Sequence, residues 1–515
     1  MPKIIRIIGG PGAGKTEYLM RQVERACEKY FEKDIGFVSH TTAAVSEARA
    51  RIQNKLNVSY EKIKNVKTIH SHCFNLLGIK KEDIMETSKN IKDFNEQYPA
   101  YAISPRGIGN ASNDENDGPG SRLGINNQIF NAMQINRNMM IEESHWPAAS
   151  LDFKKVWFDF MENEGKVDFT KMLEQCLDRE LSPDIKVLIC DEAQDLPKIQ
   201  VALINQWGEI CDTVLWAGDA NQAIFGFAGS DPGNFMGLKA DKVIALKQSY
   251  RLSPVVLAES LRIIQQANIK EIVEFHPTDK YGEGSVFKAR LPDFSLQGSH
   301  MLLCRCKFQL QKHIDLLLKN NIPFHNEYRL DDKCWNPLST SGAESIKVYL
   351  KILRGEQVDI YEIKQMVKNC VAKECLVHGA KKTIDGMPLT KKKTYEFFGL
   401  IKMGFLGSFL DQDNDMRKYF RLKLQSQDMI FSLAENTPEK LFEKPKICLG
   451  TIHSVKGGEA DTVWLDPSIT TKIKKALAEK GGWDEEARVA YVGVTRARSN
   501  VGILPAHGYR NPFLQ

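Results

Sequence analysis

The chain has 515 residues, of which 42% are hydrophobic and 26% charged, with a formal net charge of +5. This length exceeds one compact core and predicts about two to four domains. No apolar run approaches the ~18 residues of a membrane span, so a membrane-embedded class is excluded. The mild positive charge permits a nucleic-acid partner without requiring one. Eleven cysteines without disulfide-like spacing favour a reducing compartment, so we expect a cytoplasmic protein (in the host cytoplasm if it is viral).

Apolar strands recur along the chain, and most of them end in polar residues. The first covers residues 4–8 and precedes a Gly-rich turn and a helical stretch, which leaves no room for a signal peptide. Similar strands are predicted at 186–190, 213–219, 300–306, 446–454, 461–466 and 499–504. Strands that alternate with helical stretches are typical of parallel α/β sheets. We therefore predict two α/β cores.

Two stretches interrupt this alternation. Residues 104–127 are rich in Gly, Asn, Asp and Ser, a composition that predicts a mobile loop. Residues 335–440 are mainly helical in pattern and basic. We predict one insertion in each core. The first core would comprise residues 1–80 and 151–238, with an insertion at 81–150. The second core would comprise residues 239–334 and 441–515, with a helical basic insertion at 335–440.

The Gly-rich turn reads GGPGAGKT at 9–16 and fits the pattern G-x-x-x-x-G-K-[ST] between a strand and a helix. Such a loop lets backbone N–H groups surround phosphates. Lys15 would add a mobile positive charge, and the Thr16 hydroxyl could ligate Mg²⁺. The predicted phosphate contacts are therefore Gly9, Gly10, Pro11, Gly12, Ala13, Gly14, Lys15 and Thr16.

A pair of carboxylates follows the strand at 186–190. Asp191 could reach Mg²⁺, and Glu192 could orient and deprotonate the attacking water. An exposed acidic turn without a catalytic role could contain the same two residues. The position after a buried strand and downstream of the Gly-rich loop favours hydrolysis.

Three potential metal ligands lie close together near residue 375. Cys370, Cys375 and His378 lack a convincing fourth ligand, which structural zinc sites require. We interpret the two cysteines as ordinary thiols.

Further segments complete an ordered series. These are KVDFTKML at 166–173, GDANQAIFGFAGSD at 218–231, QSYRLS at 248–253, GTIHSVKGGEADTV at 450–463 and EEARVAYVGVTRAR at 485–498. With the Gly-rich loop and DEAQD, the chain resembles the UvrD/Rep/PcrA-like superfamily 1 helicases over most of its length, and its compact size would suit a phage-encoded member. The resemblance implies two RecA-like P-loop cores, ATP and Mg²⁺ as cofactors, and single-stranded DNA and its junctions with duplex as partners. Single-strand-binding proteins or replication and repair proteins would be further partners. Binding to a membrane is not expected.

The resemblance also assigns roles around the nucleotide. Gln222 would sense the γ-phosphate, and Arg251 and Arg496 would stabilise its charge from the opposite core. Glu459 would contact the ribose, although an ordinary solvated glutamate has the same appearance. Only eight residues precede Gly9, too few for the family's adenine-reading glutamine motif, so selectivity for ATP over other nucleotides stays open.

For nucleic acid, the resemblance places Phe225 and Phe227 where aromatic rings stack on unpaired bases, each contact being worth ~1–3 kcal/mol. The family often has Trp and then Arg where this chain has Phe227 and Ala228. Hydroxyls that bond phosphates without reading sequence are expected in the tetrapeptide TIHS, which occurs twice. The remaining predicted contacts are His40, Thr41, Thr42, Thr68, His70, Ser71, Thr451, His453 and Ser454.

Three functions are compatible with the sequence. The first is an ATP-dependent DNA helicase that translocates on single strands with 3′→5′ polarity, the polarity being implied by the resemblance alone. The second is a translocase that strips proteins from single strands without unwinding duplex. The third is a loading factor that uses ATP as a switch, against which the Asp191–Glu192 pair and both arginines argue.

Overall fold

The computed structural model describes residues 2–39, 42–104, 122–326, 336–389, 393–411, 415–422 and 425–515. The predicted contacts His40 and Thr41, and most of the predicted loop at 104–127, lie outside these residues. The chain forms two compact units. Unit 1 comprises Met1–Val286, Thr470–Ser499 and Asn511–Gln515, and unit 2 comprises Phe287–Ile469 and Asn500–Arg510.

Regular elements alternate along most of the chain. The strands are β1 (Lys3–Gly9), β2 (Ile35–Ser39), β3 (Val66–Thr68), β4 (Val187–Asp191), β5 (Thr213–Gly218), β6 (Lys242–Leu246), β7 (Ser285–Lys288), β8 (His300–Cys304), β9 (Phe324–His325), β10 (Val358–Asp359), β11 (Thr394–Tyr395), β12 (Ile447–Thr451), β13 (Ala460–Leu465), β14 (Ser468–Ile469), β15 (Ala497–Ile503) and β16 (Tyr509–Arg510). The helices are α1 (Lys15–Cys27), α2 (Thr42–Leu56), α3 (Ile69–Leu77), α4 (Ser88–Gln97), α5 (Arg122–Asn138), α6 (Ala148–Asn163), α7 (Phe169–Asp178), α8 (Lys198–Gly208), α9 (Pro232–Met236), α10 (Pro254–Ile264), α11 (Leu310–Lys319), α12 (Ser341–Leu353), α13 (Ile360–Asn369), α14 (Ala372–Cys375), α15 (Ala380–Gly386), α16 (Phe397–Lys402), α17 (Met416–Tyr419), α18 (Gln427–Asn436), α19 (Thr471–Ala476) and α20 (Gly482–Val494). None of the helices in the described ranges combines the length and the hydropathy that a bilayer crossing requires.

The first sheet has the strand order β3-β2-β4-β5-β1-β6, and all its strand pairs are parallel. Every residue of β4 is buried, as expected for a strand with helices on both faces of its sheet. Because β1, β4 and β5 are neighbours, the residues that follow them meet at one edge of the sheet. This edge carries the Gly-rich loop and two aspartates.

The second sheet has the order β7-β15-β13-β8-β12-β9. Within unit 2, β8 pairs in parallel with both β12 and β13, and Cys304 lies opposite Thr451. The five residues of β8 and the five of β12 are all buried. The prediction of two parallel α/β cores is confirmed.

Both units also carry helical segments with cores of their own. In unit 1, α4, α5 and α6 surround an aromatic cluster built on Phe94, Phe130, Phe153 and Trp157. In unit 2, helices α12 to α18 share one large hydrophobic cluster that contains Tyr349. The insertion boundaries drawn from the sequence stay predictions.

A buried ion pair links α5 to the start of α7 in unit 1. Arg137 Nη1 lies 2.5 Å from Asp168 Oδ2, and both side chains are almost fully buried. Trp157 Nε1 and Gln134 Nε2 donate to the same carboxylate oxygen at 2.7 Å and 3.0 Å. Burial opposes ionisation of Asp168, but the Arg137 charge and the hydrogen bonds from Arg137, the Lys171 N–H and Trp157 together outweigh it and hold the pKa below its usual range. Asp168 belongs to the KVDFTKML segment, so this segment has a structural role.

Candidate nucleotide and nucleic-acid sites

The Gly-rich loop joins β1 to α1 in unit 1. Gly12 has φ 69° and Gly14 has φ 75°, a left-handed backbone that glycine adopts most readily. Lys15 Nζ donates to the Gly9 carbonyl at 2.8 Å, and the Ala13 N–H donates to the Gly10 carbonyl at 3.1 Å. Two hydrogen bonds within the loop therefore fix its conformation, and one of them holds the Lys15 ammonium against the Gly9 carbonyl.

The QSYR segment braces this loop from within the same unit. Ser249 Oγ donates to the Pro11 carbonyl at 2.8 Å, and the Tyr250 N–H donates to the Gly12 carbonyl at 2.8 Å. A Cβ on Gly12 would lie 2.3 Å from Arg251 Cβ. Glycine at position 12 is thus required both by its backbone angle and by the approach of Arg251.

Two buried aspartates face Lys15 at the edge of the sheet. Burial, and then the charge of Glu192, raise the pKa of Asp191 to about 7, while Lys15 lowers it. Burial also raises the pKa of Asp219, which follows β5, and Lys15 again opposes the shift. Asp219 was not among the predicted site residues, although it ends an apolar strand just as Asp191 does. The site therefore concentrates negative charge that one lysine only partly offsets.

Glu192 occupies a strained backbone position beside these aspartates. Its φ of 54° and ψ of 40° are left-handed, which is unusual for a residue with a side chain. Gln194 Nε2 donates to Glu192 Oε2 at 2.5 Å, while Gln194 Oε1 accepts the Asp219 N–H at 3.0 Å. Gln194 thus fixes the direction of the Glu192 carboxylate.

A continuous hydrogen-bonded chain connects Asp219 to Arg496. Gln222 Nε2 donates to Asp219 Oδ2 at 2.7 Å, and Arg496 Nη2 donates to Gln222 Oε1 at 3.0 Å. Arg496 is 1% exposed, and its Nε donates to the Val492 carbonyl at 3.1 Å. Arg251 Nη1 lies 3.4 Å from the Thr495 carbonyl oxygen.

The structure thus brings together Lys15, Asp191, Gln222, Arg251 and Arg496 in unit 1. Both arginines belong to the same compact unit as Lys15, and the implied supply of the two arginines from the opposite core stays a prediction. The predicted ribose contact Glu459 lies in unit 2, exposed in the turn that precedes β13.

Two aromatic rings against the Gly-rich loop were missed in the sequence. The Tyr250 ring would lie 3.6 Å from a Cβ on Gly14, and the side chain is 65% exposed. The Phe275 ring covers Gly10, so closely that a Cβ there would lie 2.6 Å from it. Tyr250 could have been noticed inside QSYR, but no sequence signal marks Phe275.

The first TIHS segment caps α3 at the end of β3. Thr68 Oγ1 accepts the Ser71 N–H at 3.2 Å and is 3.0 Å from Ser71 Oγ. The His70 ring packs edge-on against Phe169 with centroids 5.7 Å apart. Phe169 is 45% exposed and was not predicted as a contact residue. Thr42 begins α2 and is also exposed.

Phe225 and Phe227 form a pair in a tight turn of unit 1. Their ring centroids are 5.9 Å apart at an interplanar angle of 81°. The Ala228 N–H donates to the Phe225 carbonyl at 2.8 Å, and Gly229 continues the turn at φ 90°. Both rings are half-buried, so each keeps part of its surface open to solvent.

The second TIHS segment follows β12 in unit 2. The Ser454 N–H donates to Thr451 Oγ1 at 3.2 Å, and the Thr451 N–H donates to Ser454 Oγ at 3.1 Å. The buried Asn326 holds the turn from below by donating to the Leu449 carbonyl at 3.0 Å. His453 lies within this turn and is half-buried.

The cysteines near residue 375 make hydrogen bonds within the helical part of unit 2. Cys370 Sγ donates to the Val367 carbonyl at 3.4 Å, and Cys375 Sγ donates to the Tyr419 carbonyl at 3.5 Å. Both contacts are those of ordinary thiols.

Comparison with known proteins divides the chain between residues 242 and 244, inside the first segment of unit 1. Residues 2–242 match the family model of the UvrD/REP helicase N-terminal domain, and residues 244–506 match that of the UvrD-like helicase C-terminal domain. A probable DNA helicase II homolog of Mycoplasma pneumoniae is 23% identical over 97% of this chain and 82% of the relative. The putative ATP-dependent DNA helicase YjcD of Bacillus subtilis is 22% identical over 96% of this chain and 76% of the relative. The ATP-dependent DNA helicase Rep of Buchnera aphidicola subsp. Schizaphis graminum is 21% identical over 96% of this chain and 90% of the relative.

The two family models together cover nearly the whole chain. The Gly-rich loop, the two aspartates and Arg496, which follows α20, lie in unit 1. The chain belongs to the UvrD-like superfamily 1 DNA helicases, enzymes that hydrolyse ATP.

Proposed function

We propose that this helicase couples ATP hydrolysis to 3′→5′ movement along single-stranded DNA and thereby unwinds duplex DNA. The observation that carries the proposal is the chain of hydrogen bonds from Asp219 through Gln222 to Arg496, within electrostatic reach of Lys15. The chain runs from a buried aspartate, whose pKa is lowered by Lys15 of the Gly-rich loop, to a buried arginine. Hydrogen bonds in such a buried chain polarise one another, so a change at one member affects the others.

In this proposal the loop at 9–16 binds the phosphates of ATP through its backbone N–H groups, and Lys15 adds positive charge. Glu192, oriented by Gln194, positions the attacking water and accepts its proton. Arg496 supplies positive charge where the transition state spreads negative charge over the phosphoryl oxygens. Gln222 contacts both Asp219 and Arg496 and would report the state of the γ-phosphate to each.

Thr16 and Asp191 would hold Mg²⁺. Their hydroxyl and carboxylate oxygens are the donors that this cation prefers, and the burial that raises the pKa of Asp191 describes a carboxylate whose charge needs a cation. When bound, Mg²⁺ neutralises charge on the phosphate oxygens.

Recognition of the base would rely on an aromatic residue of unit 1. Tyr250 presents an exposed ring beside Gly14 and could stack on the base without distinguishing one base from another. Glu459 remains the predicted ribose contact. Stacking without base-edge contacts would give weak discrimination between ATP and GTP.

The proposed DNA contacts in unit 1 are an aromatic pair and a capped turn. Phe225 and Phe227 would stack on bases, and the exposed Ser71 hydroxyl would bond a phosphate. His70, packed on Phe169, extends the aromatic surface. In unit 2 the turn of Thr451, His453 and Ser454 would make a second phosphate contact. Protein partners such as single-strand-binding proteins stay predictions.

Strand displacement from tailed duplexes tests the proposal. We expect unwinding of DNA with a 3′ single-stranded tail, no unwinding with a 5′ tail or with RNA, and dependence on ATP and Mg²⁺. Lys15→Ala should abolish both unwinding and ATP hydrolysis, whereas Lys29→Ala, at an exposed lysine of the same unit, should change neither. Hydrolysis stimulated by single strands without any displacement would support the protein-stripping translocase, and unwinding from the 5′ tail would refute the polarity.

The DNA contact has its own test. Phe227→Ala should raise the single-strand concentration needed for half-maximal ATPase activity by about 5- to 150-fold, since stacking contributes ~1–3 kcal/mol per base. Phe31→Ala removes a ring that is 71% exposed in the same unit and should have no effect. Equal effects of the two substitutions would exclude Phe227 from the DNA contact.

A further inference from the structure

Three buried side chains that commonly bind metals meet in unit 2. Cys304 ends β8, His313 lies on α11, and Asp466 directly follows β13. Their ligand atoms all lie within 4.8 Å of one another. The exposed fractions are 0%, 7% and 2% respectively. In the part of the chain that the structure describes, this is the one group of three such residues.

The topology of the second sheet brings these residues together. The Asp466 N–H donates to the Leu303 carbonyl at 2.9 Å, which extends the pairing of β13 with β8 by one step. His313 Nε2 lies 3.0 Å from Asp466 Oδ2. The carboxyl edge of a parallel sheet is the usual ligand-binding edge of α/β folds, and nothing in the proposed function uses these three residues.

Asp466 and His313 have hydrogen-bond partners in the structure, whereas the Cys304 sulfur has none among the described residues. Ser468 donates to Asp466 Oδ1 from its N–H at 3.0 Å and from its Oγ at 2.5 Å. Lys312 Nζ and His313 Nε2 both contact Oδ2. Among the described residues none forms a hydrogen bond with Cys304 Sγ, although this sulfur faces an imidazole and a carboxylate.

We propose that Cys304, His313 and Asp466 bind one Zn²⁺ ion, with water as the remaining ligand. Thiolate and imidazole ligands select Zn²⁺ over Mg²⁺ and Ca²⁺, and three protein ligands with one water form a common tetrahedral zinc site. Bond lengths of about 2.0–2.3 Å place neighbouring ligand atoms about 3.3–3.6 Å apart in a tetrahedron. The His313–Asp466 separation already matches this distance within a few tenths of an ångström, and the sulfur needs to approach by no more than about 1.5 Å.

Charge is balanced when the ion binds. The Cys304 S–H bond breaks, its proton goes to solvent, and a Zn–S bond forms. The proton that His313 Nε2 donates to Asp466 leaves for solvent while Nδ1 takes one from solvent, so that a neutral imidazole forms the Zn–N bond through Nε2. The thiolate and the Asp466 carboxylate then offset the two positive charges of the ion. Lys312 keeps its proton and leaves Oδ2, which its 38% exposed side chain can do by turning into solvent.

Such an ion would join three separate elements. It would link the ends of β8 and β13 to α11, and the Cys304 carbonyl also accepts the Ile452 N–H of the second TIHS segment at 3.0 Å. Bound Zn²⁺ should therefore raise the unfolding temperature of unit 2. This effect needs neither ATP nor DNA, so it can fail or succeed independently of the helicase activity.

The test is Zn²⁺ titration of the full chain against a chromophoric chelator in buffer without Mg²⁺, with Co²⁺ substitution as a second probe. We expect one Zn²⁺ per chain and a Co²⁺–thiolate charge-transfer band. Cys304→Ser should weaken Zn²⁺ binding by at least about tenfold and remove the band. Cys448→Ser, at a buried thiol on β12 outside the group, should change neither.

A second variant keeps the test decisive if Cys304→Ser fails to fold. Lys312→Ala removes an exposed competing cation and should tighten Zn²⁺ binding several-fold, while His313→Gln should weaken it at least about tenfold. Circular dichroism in EDTA checks the fold of each variant. Less than half an equivalent of Zn²⁺ on the wild-type chain, or equal affinity of wild type and a folded His313→Gln chain, would overturn the proposal.

Discussion

Replacing Asp191 by asparagine should stabilise the folded chain while abolishing ATP hydrolysis. Burial and the charge of Glu192 raise the pKa of Asp191 to about 7, from 3.8 for an ordinary aspartate. At ~1.36 kcal/mol per pKa unit, the ionised carboxylate destabilises the native state by up to about 4 kcal/mol. An asparagine carries no charge, and its amide oxygen can still accept the Glu192 N–H, now at 2.9 Å from Asp191 Oδ1. The pKa of about 7 already includes the opposing effect of Lys15, and burial of the new amide N–H groups offsets part of the gain, so we expect a net gain of about 1–3 kcal/mol.

The gain should depend on pH in a defined direction. Since the native pKa of Asp191 is the higher one, the native state binds a proton that the unfolded state releases between pH 3.8 and about 7. The unfolding free energy of the wild type therefore falls as pH rises through this interval and levels off above it. The asparagine variant lacks this dependence, so its advantage is complete above pH 7 and shrinks as pH falls toward 4.

Urea unfolding in EDTA without nucleotide, at pH 8 and at pH 5, measures both effects. Asp466→Asn is the matched control in unit 2, because the hydrogen bonds from His313, Lys312 and Ser468 outweigh burial and hold the Asp466 pKa below its usual range. That substitution should therefore destabilise the chain. An Asp191→Asn chain that is no more stable than wild type at pH 8, or equally stabilised at both pH values, would refute the reasoning.

Three further substitutions have definite expectations. Gly12→Ala should abolish binding of a fluorescent ATP analogue, because the new Cβ would meet the neighbouring arginine at 2.3 Å, while Gly78→Ala, with a similar φ but open space, should bind normally. Arg496→Lys should lower kcat by at least about 10³-fold in the single-strand-stimulated ATPase assay and leave KM nearly unchanged, since lysine cannot reproduce the buried donors to Gln222 and the helix. Asp168→Asn should lower the unfolding free energy by about 1–3 kcal/mol in urea, because it removes the fully buried partner of Arg137 and leaves Glu174 as the remaining carboxylate on that arginine; an unchanged unfolding free energy would contradict this.

The central strands of the first sheet could be predicted because each is a continuous apolar run. Buried on both faces, β4 and β5 show hardly a polar residue before their last positions. The edge strand β6 was not predicted although Val243–Leu246 is an apolar run, and all its residues are exposed or half-buried because the strand lies at the edge of the sheet. The internal strand β2 is as long and as buried as β4 but was missed, because Gly36 interrupts its apolar run. The strand β3 was missed because it has only three residues.

The nucleotide site divides in the same way. Lys15 and Asp191 follow local motifs, so their roles could be predicted from a few neighbouring letters. The contact of Arg496 with Gln222 and that of Phe275 with Gly10 join residues far apart in the chain. Such contacts depend on how the elements pack, and a single sequence contains no periodic signal for them.

The two TIHS segments form the same local hydrogen bond in different secondary-structure contexts. In each, the threonine Oγ1 accepts the N–H of the serine three residues later at 3.2 Å. One segment opens α3, and the other closes a turn after β12. A strand that must stop and turn favours threonine and serine at this spacing, because their side chains satisfy the freed backbone groups. The threonine and the serine of each tetrapeptide thus have the same structural role, which is to satisfy backbone groups where a strand ends.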